Sequence, residues 1–339
     1  HGPRGLVAAI QRHLQMRIDV MKNVSKLALF VAAGMVSAGV NAATIQIPEG
    51  TTFELEGEFV SNYFVKDAVD TSANTSDNDN DLEGEIELAW SAVRSFENFD
   101  AYTEAAFKFE NQTDDGTGTE FDGAVAGIEG DFGQLEVGAT DSVYEDLITD
   151  AVDITEESGL DYGGYGFDED NMLTYYSPET AGFSFNLQIG ILDEAENSSE
   201  SEQGFVASAA YDFGIGAIHV GYDELGNTAD SDDGLTGIAT VFELGLAEVS
   251  LSHEMETDTN DQDTDYTGLA VSYDYGMGNL YGAYQSVSPD VGDDQSQYAL
   301  GVSAAIADGF DVYAEYADFD GQAATDADTQ MTLGLVYAF

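Results

Sequence analysis

Apolar and polar residues alternate with a period of two along most of the chain. At the C-terminus, Met331, Leu333, Leu335, Tyr337 and Phe339 alternate with small or mostly polar neighbours. Further stretches with this pattern include residues 53–63, 82–90, 183–191 and 298–306. A period of two predicts β-strands that have one apolar face.

The polar face of these segments carries glutamates in runs. Glu54, Glu56 and Glu58 lie on one predicted strand, and Glu83 and Glu85 begin a similar run on the next. A soluble β-sandwich would also alternate, but its apolar face would need a second sheet. A closed barrel in a membrane places the apolar face against lipid and the carboxylates in a water-filled lumen. The pattern therefore favours a transmembrane barrel.

The alternation predicts an all-β, antiparallel, up-and-down barrel of sixteen strands. An even number is expected when both chain ends lie on one side. The predicted strands are 51–66, 80–94, 98–111, 120–132, 133–141, 171–177, 182–192, 203–213, 217–224, 234–243, 247–257, 264–275, 279–288, 295–306, 310–319 and 328–339.

The connections between these strands alternate between short turns and longer acidic loops, as in outer-membrane barrels. The longer loops are 67–79, 112–119, 142–170, 193–202, 225–233, 258–263, 289–294 and 320–327. Aromatic residues near strand ends are expected to form the interfacial girdle. They are Trp90, Tyr211, Phe213, Tyr275, Tyr337 and Phe339.

The N-terminal part has the features of a signal peptide. Lys22 and Lys26 precede a short apolar run, LALFVAAGMV, and small residues lead to a cleavage site after Ala42. We expect residues 1–20 to be an upstream extension outside the mature protein, residues 21–42 to be the signal peptide, and residues 43–339 to form one barrel domain.

The chain has 66 acidic and 8 basic residues, a net charge of −58, and no cysteine. Nucleic-acid binding is excluded because it requires clusters of Lys and Arg. Five of the basic residues lie in the N-terminal part that is expected to be removed, which leaves Lys66, Arg94 and Lys108.

Two predicted hairpins carry a resemblance to a known family. Residues 126–138, AGIEGDFGQLEVG, and residues 171–185, NMLTYYSPETAGFSF, resemble the fourth-to-fifth and sixth-to-seventh strand hairpins of general Gram-negative porins. The terminal Phe339, with Tyr337, matches the family's assembly signal. Within the family, the sequence most resembles porins of marine γ-proteobacteria. The resemblance implies a homotrimer in outer-membrane lipid and lipopolysaccharide, with a third extracellular loop folded into the barrel.

The longest predicted loop, 142–170, lies at the position of that third loop. We expect its acidic side chains to line the pore constriction. The candidates are Glu145, Asp146, Asp150, Asp153, Glu156, Glu157 and Asp161.

Two departures from the family concern the wall opposite this loop. The family commonly has arginines at the positions of Ala139 and Thr174, where they contribute to a basic wall. Lys108 and Lys66 are the remaining candidates for positive charge inside the barrel. An acidic constriction with few cations predicts a passive, cation-preferring pore for ions and small hydrophilic solutes.

The sequence also bears on metal binding, catalysis, adhesion and sugar transport. No cofactor or structural metal site is expected, because the acidic tracts 77–81 and 258–265 do not match a calcium-binding loop; weak association of Ca²⁺ or Mg²⁺ with carboxylates at the rim is the alternative. Catalysis is not expected, because His219 and His253 lie on predicted strands without a nucleophile motif. An adhesin or receptor role is compatible with a barrel. An oligosaccharide-specific pore would use an aromatic path, for which the candidates are Tyr162, Tyr165, Phe167, Tyr175 and Tyr176.

Overall fold

The computed structural model describes residues 50–70, 75–112, 116–157, 170–190, 204–224, 234–258, 262–320 and 329–339. The predicted upstream extension, 1–20, and signal peptide, 21–42, lie outside these residues.

Sixteen antiparallel strands form a closed barrel in which each strand pairs with its neighbours in sequence and β1 pairs with β16. The predicted all-β barrel is confirmed. The strands are β1 Thr51–Asp70, β2 Thr75–Ser95, β3 Asp100–Gln112, β4 Gly116–Gly130, β5 Gly133–Thr140, β6 Asp170–Tyr176, β7 Phe183–Gly190, β8 Phe205–Asp212, β9 Gly216–Asp223, β10 Gly234–Leu244, β11 Ala247–Thr257, β12 Asp263–Asp274, β13 Asn279–Pro289, β14 Gln295–Ala307, β15 Phe310–Asp320 and β16 Thr329–Ala338.

Two predicted loops are shorter than expected. The loop predicted at 67–79 is wrong over most of its length, because β1 continues to Asp70 and β2 begins at Thr75. The loop predicted at 112–119 is reduced in the same way by β3 and β4. About 9–11 residues of a tilted strand cross a membrane, so a strand of 20 residues extends beyond it. A period of two is imposed only where one face of a strand meets lipid, so it is not required along such an extension.

Apolar side chains cover the outer face of the barrel. Leu82, Leu300 and Leu333 are 57%, 58% and 52% exposed. In β7, Leu187 and Ile189 are exposed whereas Gln188 between them is buried. This inversion of the soluble-protein pattern is expected where lipid covers the outer face. No helix in the described part of the chain is long and apolar enough to cross a membrane.

Three tyrosines link strands that are not direct neighbours. Each tyrosine lies opposite a glycine on the next strand, and its hydroxyl donates a hydrogen bond to a side chain on the strand beyond, at 2.6–2.8 Å. A Cβ on any of these glycines would come within 2.4 Å of the tyrosine ring. The sets are Tyr102–Gly127–Glu136, Tyr281–Gly301–Glu315 and Tyr313–Gly334–Asn62. We call them the tyrosine clamps; each fixes the register of three strands.

Candidate pore constriction

Residues 141–157 follow β5 and are called the crossing segment. Backbone hydrogen bonds join Ile148 to Tyr144 and Asp153 to Thr149, at 2.9 and 3.1 Å, so the segment contains helix-like turns. These turns place one set of apolar side chains on one side. The set is Val143, Tyr144, Leu147, Ile148 and Val152, and each is at most 2% exposed.

The apolar side of the crossing segment packs against side chains of the barrel wall. Val143, Tyr144 and Ile148 form one cluster with residues of β6, β8 and β10. Val152 belongs to a second cluster with residues of β12 to β15. The wall residues in the two clusters are Met172, Val206, Leu235, Ala239, Ala270, Ala283, Ala299, Ala317 and Phe319. This stretch of the wall is therefore covered by the segment.

Hydrogen bonds fix the start of the crossing segment. The Ser142 hydroxyl donates to Asp223 Oδ2 at 3.0 Å, and the backbone N–H of Val143 donates to Gln188 Oε1 at 3.1 Å. Gln188 Nε2 in turn donates to the carbonyl of Asp141 at 2.8 Å. All of these partners on β7 and β9 are fully buried, so the bonds are shielded from competing water.

The middle of the segment is held by β9 and β11. The Tyr144 hydroxyl donates to Glu254 Oε2 at 3.1 Å, and His219 Nδ1 donates to the carbonyl of Leu147 at 2.6 Å. Tyr144 lies over Gly221 and Gly237, where a Cβ would come within 2.6 Å of its ring and 2.2 Å of its hydroxyl oxygen, respectively. Glycine at these two positions makes room for the segment.

The far end of the segment contacts a different part of the wall. The backbone N–H groups of Glu156 and Glu157 donate to the Glu315 carboxylate on β15 at 2.6 and 3.2 Å. Asn62 Nδ2 on β1 donates to Glu157 Oε2 at 2.7 Å. The segment thus runs from β7–β11 to β15 and β1.

Six predicted constriction residues lie on this segment, and Asp161 lies outside the described residues. Desolvation by the surrounding protein is the main cause that raises the pKa of Asp146 to about 8, and repulsion from Asp150, Asp141 and Glu136 adds to it. Desolvation and Asp153 raise the pKa of Asp150 to about 7. The Asp150 side chain nevertheless remains exposed, so protein surrounds it without sealing it from water.

Charges of both signs act on Glu157. Desolvation, followed by Glu83, Glu315 and Glu85, raises its pKa to about 7, whereas Lys66 lowers it. Lys66 therefore lies close enough to the far end of the segment to affect its charge. The Lys66 ammonium also lies 5.0 Å from the centre of the Phe64 ring.

Lys108 lies in an acidic recess of the opposite wall. The recess has a volume of about 390 Å³ and is formed by β1–β5 and the start of the crossing segment. In the strand register Lys108 faces Glu87. The charged residues that line it are Glu54, Glu56, Glu87, Glu104, Lys108 and Asp141. A wall with five carboxylates and one ammonium is acidic. Lys108 alone therefore does not make this wall basic.

The two positions where the family has arginine lie on or beside this wall. Ala139 lines the recess. Thr174 is fully buried and faces Glu136 across β5 and β6. Neither Ala139 nor Thr174 therefore supplies a cation near these acidic residues.

Tyr175 and Tyr176, two candidates for an aromatic path, lie on opposite faces of the barrel wall. The Tyr176 hydroxyl donates to Glu136 Oε1 at 3.1 Å on the acidic wall. Tyr175 instead packs on Phe185 and donates to the carbonyl of Phe132 at 2.9 Å, on the outer apolar face. Adjacent strand residues point to opposite faces, so including Tyr175 in the path was wrong.

The two histidines also lie apart. His219 is buried beneath the crossing segment, whereas His253 is half-exposed on the outer face, 3.6 Å from Asp265. Among the residues that the structure describes, no group of three or more His, Asp or Glu side chains is placed to hold a metal ion.

The C-terminal aromatic residues lie where the chain ends meet. The rings of Tyr337 and Phe339 stack with centroids 5.7 Å apart. Phe339 exchanges two backbone hydrogen bonds with Gly57 of β1, at 2.8 and 2.9 Å. The predicted assembly signal therefore contacts the first strand directly.

Several solved structures have the same fold, and porins are among them. A Salmonella typhi OmpF complex with daunomycin aligns with a TM-score of 0.67 at 14% identity, over 86% of this chain and 98% of that one. A triple mutant of Rhodopseudomonas blastica porin aligns with a TM-score of 0.65 at 12% identity, over 85% of this chain and all of that one.

Two Halomonas proteins are similar in sequence. One is named a monosaccharide porin and the other a major outer membrane protein, from Halomonas elongata; each is 23% identical over 218 residues. The match covers 59% of this chain and 59% of each relative's length.

The family model for Gram-negative porins matches residues 28–339. This match includes every described strand, from the glutamate-rich β1 to the terminal Phe339. The chain therefore belongs to the Gram-negative porin family.

Proposed function

We propose that this porin is a passive, cation-preferring diffusion pore of the outer membrane for ions and small hydrophilic solutes. The crossing segment is the inward-folded third loop and forms the constriction. The observation that supports this proposal is that the contacts of the segment reach both β7–β11 and β15–β1, so that it carries its carboxylates from one part of the barrel wall to another.

Acidic groups on both sides of a narrow aqueous passage act in the same direction. They raise the local concentration of cations and lower that of anions. Salt screens the effect, since the Debye length falls from about 8 Å at 0.15 M to about 3 Å at 1 M. Preference for cations is therefore strongest in dilute salt.

Reversal potentials across planar bilayers with a KCl gradient test this proposal. We expect a potential of the sign for K⁺ permeation, which shrinks as both salt concentrations rise. Asp150→Asn should reduce it, whereas Asp308→Asn, at an exposed short turn, is the control and should not. Anion-selective wild-type channels would overturn the proposal.

We further propose that the mature protein begins after Ala42 and assembles as a homotrimer in lipid that contains lipopolysaccharide. The family match and the apolar outer face support this assembly. Mass spectrometry of protein from outer membranes would give both the first residue and the subunit number. A monomer, or a retained segment 21–42, would contradict the corresponding part.

A sugar-selective pore is the second candidate. A relative is named a monosaccharide porin, although at 23% identity. Tyr102 and Tyr176, which share Glu136 as hydrogen-bond acceptor, offer aromatic faces and hydroxyls on the wall. Concentration-dependent interruption of single-channel current by a monosaccharide would favour this function, and unchanged current would reject it.

A further inference from the structure

The barrel closes where β1 pairs with β16, and this pair is called the seam. Its register runs from Glu58 opposite Ala338 to Asp67 opposite Thr329. Every other pair joins strands that are consecutive in sequence, whereas the seam joins the two ends of the barrel sequence. Closure of so long a loop has the largest entropic cost of any pairing in the fold.

A tyrosine clamp crosses the seam. The Tyr313 hydroxyl on β15 passes over Gly334 of β16 and donates to Asn62 Oδ1 on β1 at 2.6 Å. Tyr313 and Asn62 are both 6% exposed. The first strand is thus bonded to the last strand but one, in addition to the backbone ladder.

The crossing segment adds a second connection over the same place. The amide nitrogen of Asn62, Nδ2, also donates a hydrogen bond to Glu157. Glu315, two residues beyond Tyr313 on β15, accepts the backbone N–H groups of residues 156 and 157. The end of the segment is therefore bonded to β15 on one side of β16 and to β1 on the other.

We propose that the end of the crossing segment is a latch for the seam. It holds the first strand of the barrel to β15 across β16, so that docking of the segment and closure of the barrel stabilise each other. When Glu157 is ionised, the bond from Asn62 to it is charge-assisted, which makes it stronger than a bond between neutral groups. The segment then has an assembly role beyond its proposed role in ion selectivity.

The first test compares two adjacent glutamates in the refolded full-length protein in detergent micelles. Glu157→Ala removes the acceptor of Asn62, and we expect urea-induced unfolding to become about tenfold faster. Glu156→Ala removes the same charge one residue earlier but keeps the backbone N–H that Glu315 accepts. It is the matched control and should unfold at the wild-type rate. Equal acceleration in both variants would overturn the latch.

The second test reverses the polarity of the latch. Asn62→Asp keeps an oxygen for Tyr313 but sets two carboxylates against each other, and it should accelerate unfolding. Adding Glu157→Gln supplies an amide donor to the new carboxylate and should restore most of the wild-type rate. Failure of the second substitution to rescue the first would reject a direct bond between these positions.

Hydrogen exchange separates a seam effect from general loosening. In Glu157→Ala the amides of β1 and β16 should exchange faster, whereas those of β11 and β12 should keep their wild-type rates. Uniform acceleration, or no change at the seam, would contradict the proposal. This outcome is independent of ion selectivity, so a failed latch and a failed cation preference are distinguishable.

Discussion

At the scale of single residues, three glycines are required by tyrosines on neighbouring strands. The Tyr102 ring and hydroxyl occupy the space that a Cβ on Gly127 would need, and the other two tyrosine clamps repeat this arrangement. A tyrosine thereby fills the gap left by a glycine and gains a hydrogen-bond partner one strand further away.

We expect Gly127→Ala to destabilise the barrel by about 1–3 kcal/mol, the usual cost of overpacking. The methyl group would displace Tyr102 and break its bond to Glu136. Gly84→Ala is the control, because the nearest atom lies 3.9 Å from its Cβ position. Equilibrium unfolding in urea would measure both, and equal stability of the two variants would contradict the clamp.

The raised pKa values of the loop carboxylates predict a pH-dependent selectivity. Asp146 and Asp150, with pKa values of about 8 and 7, gain charge as pH rises through that range. Cation preference should therefore increase between about pH 6 and pH 9. Asp146→Asn should flatten the upper part of this profile, and reversal potentials that do not vary with pH would disprove the assignment.

The same shifts affect stability with the opposite sign. The folded-state pKa of each group lies above its ordinary value, so protonation favours the folded state. The stabilisation is complete below pH 4 and is lost as pH rises through about 7 to 8. We therefore expect alkaline pH to strengthen cation preference and to lower the stability of the folded state around the crossing segment.

At the scale of elements, the strands were predictable and the crossing segment was only partly so. Strands such as Ala247–Thr257 alternate because lipid and water impose a period of two. The paired ends of β1 and β2 lack this constraint, so the sequence pattern predicts a loop there. In the crossing segment, Tyr144, Ile148 and Val152 repeat at about helical spacing. That repeat could have indicated the buried side, but its partners on distant strands are set only by the closed barrel.

Glu315 is the residue of β15 on which the far end of the crossing segment depends. Glu315→Gln places an amide where a carboxylate accepts two N–H groups, so one bond should be lost. We expect higher single-channel conductance and more frequent current fluctuations, because residues 156–157 would be held less firmly. Glu129→Gln, on an exposed part of β4, is the control. Unchanged conductance in Glu315→Gln would show that other contacts suffice.

At the scale of the whole molecule, the apolar contacts and the glutamates lie on different parts of the barrel wall. The crossing segment covers the apolar, small-residue part of the wall from β6 to β15, and the opposite part, β1–β5, keeps its glutamates in contact with solvent in the recess. Hydrophobic contact thus determines where the segment lies, and the proposed cation preference depends on the carboxylates that remain in contact with solvent. Ala139 and Thr174 fit this division, since neither belongs to the two apolar clusters.

Restoring one arginine tests whether this division controls selectivity. Ala139 borders a recess of about 390 Å³ that can accept a long side chain, whereas Thr174 is fully buried and does not line this recess. Ala139→Arg should lower cation preference by placing a guanidinium among Glu104 and Asp141. Ala139→Gln, which adds bulk without charge, should leave the ratio of cation to anion permeability near that of the wild type. Equal effects of both variants would assign selectivity to pore width rather than to the acidic wall.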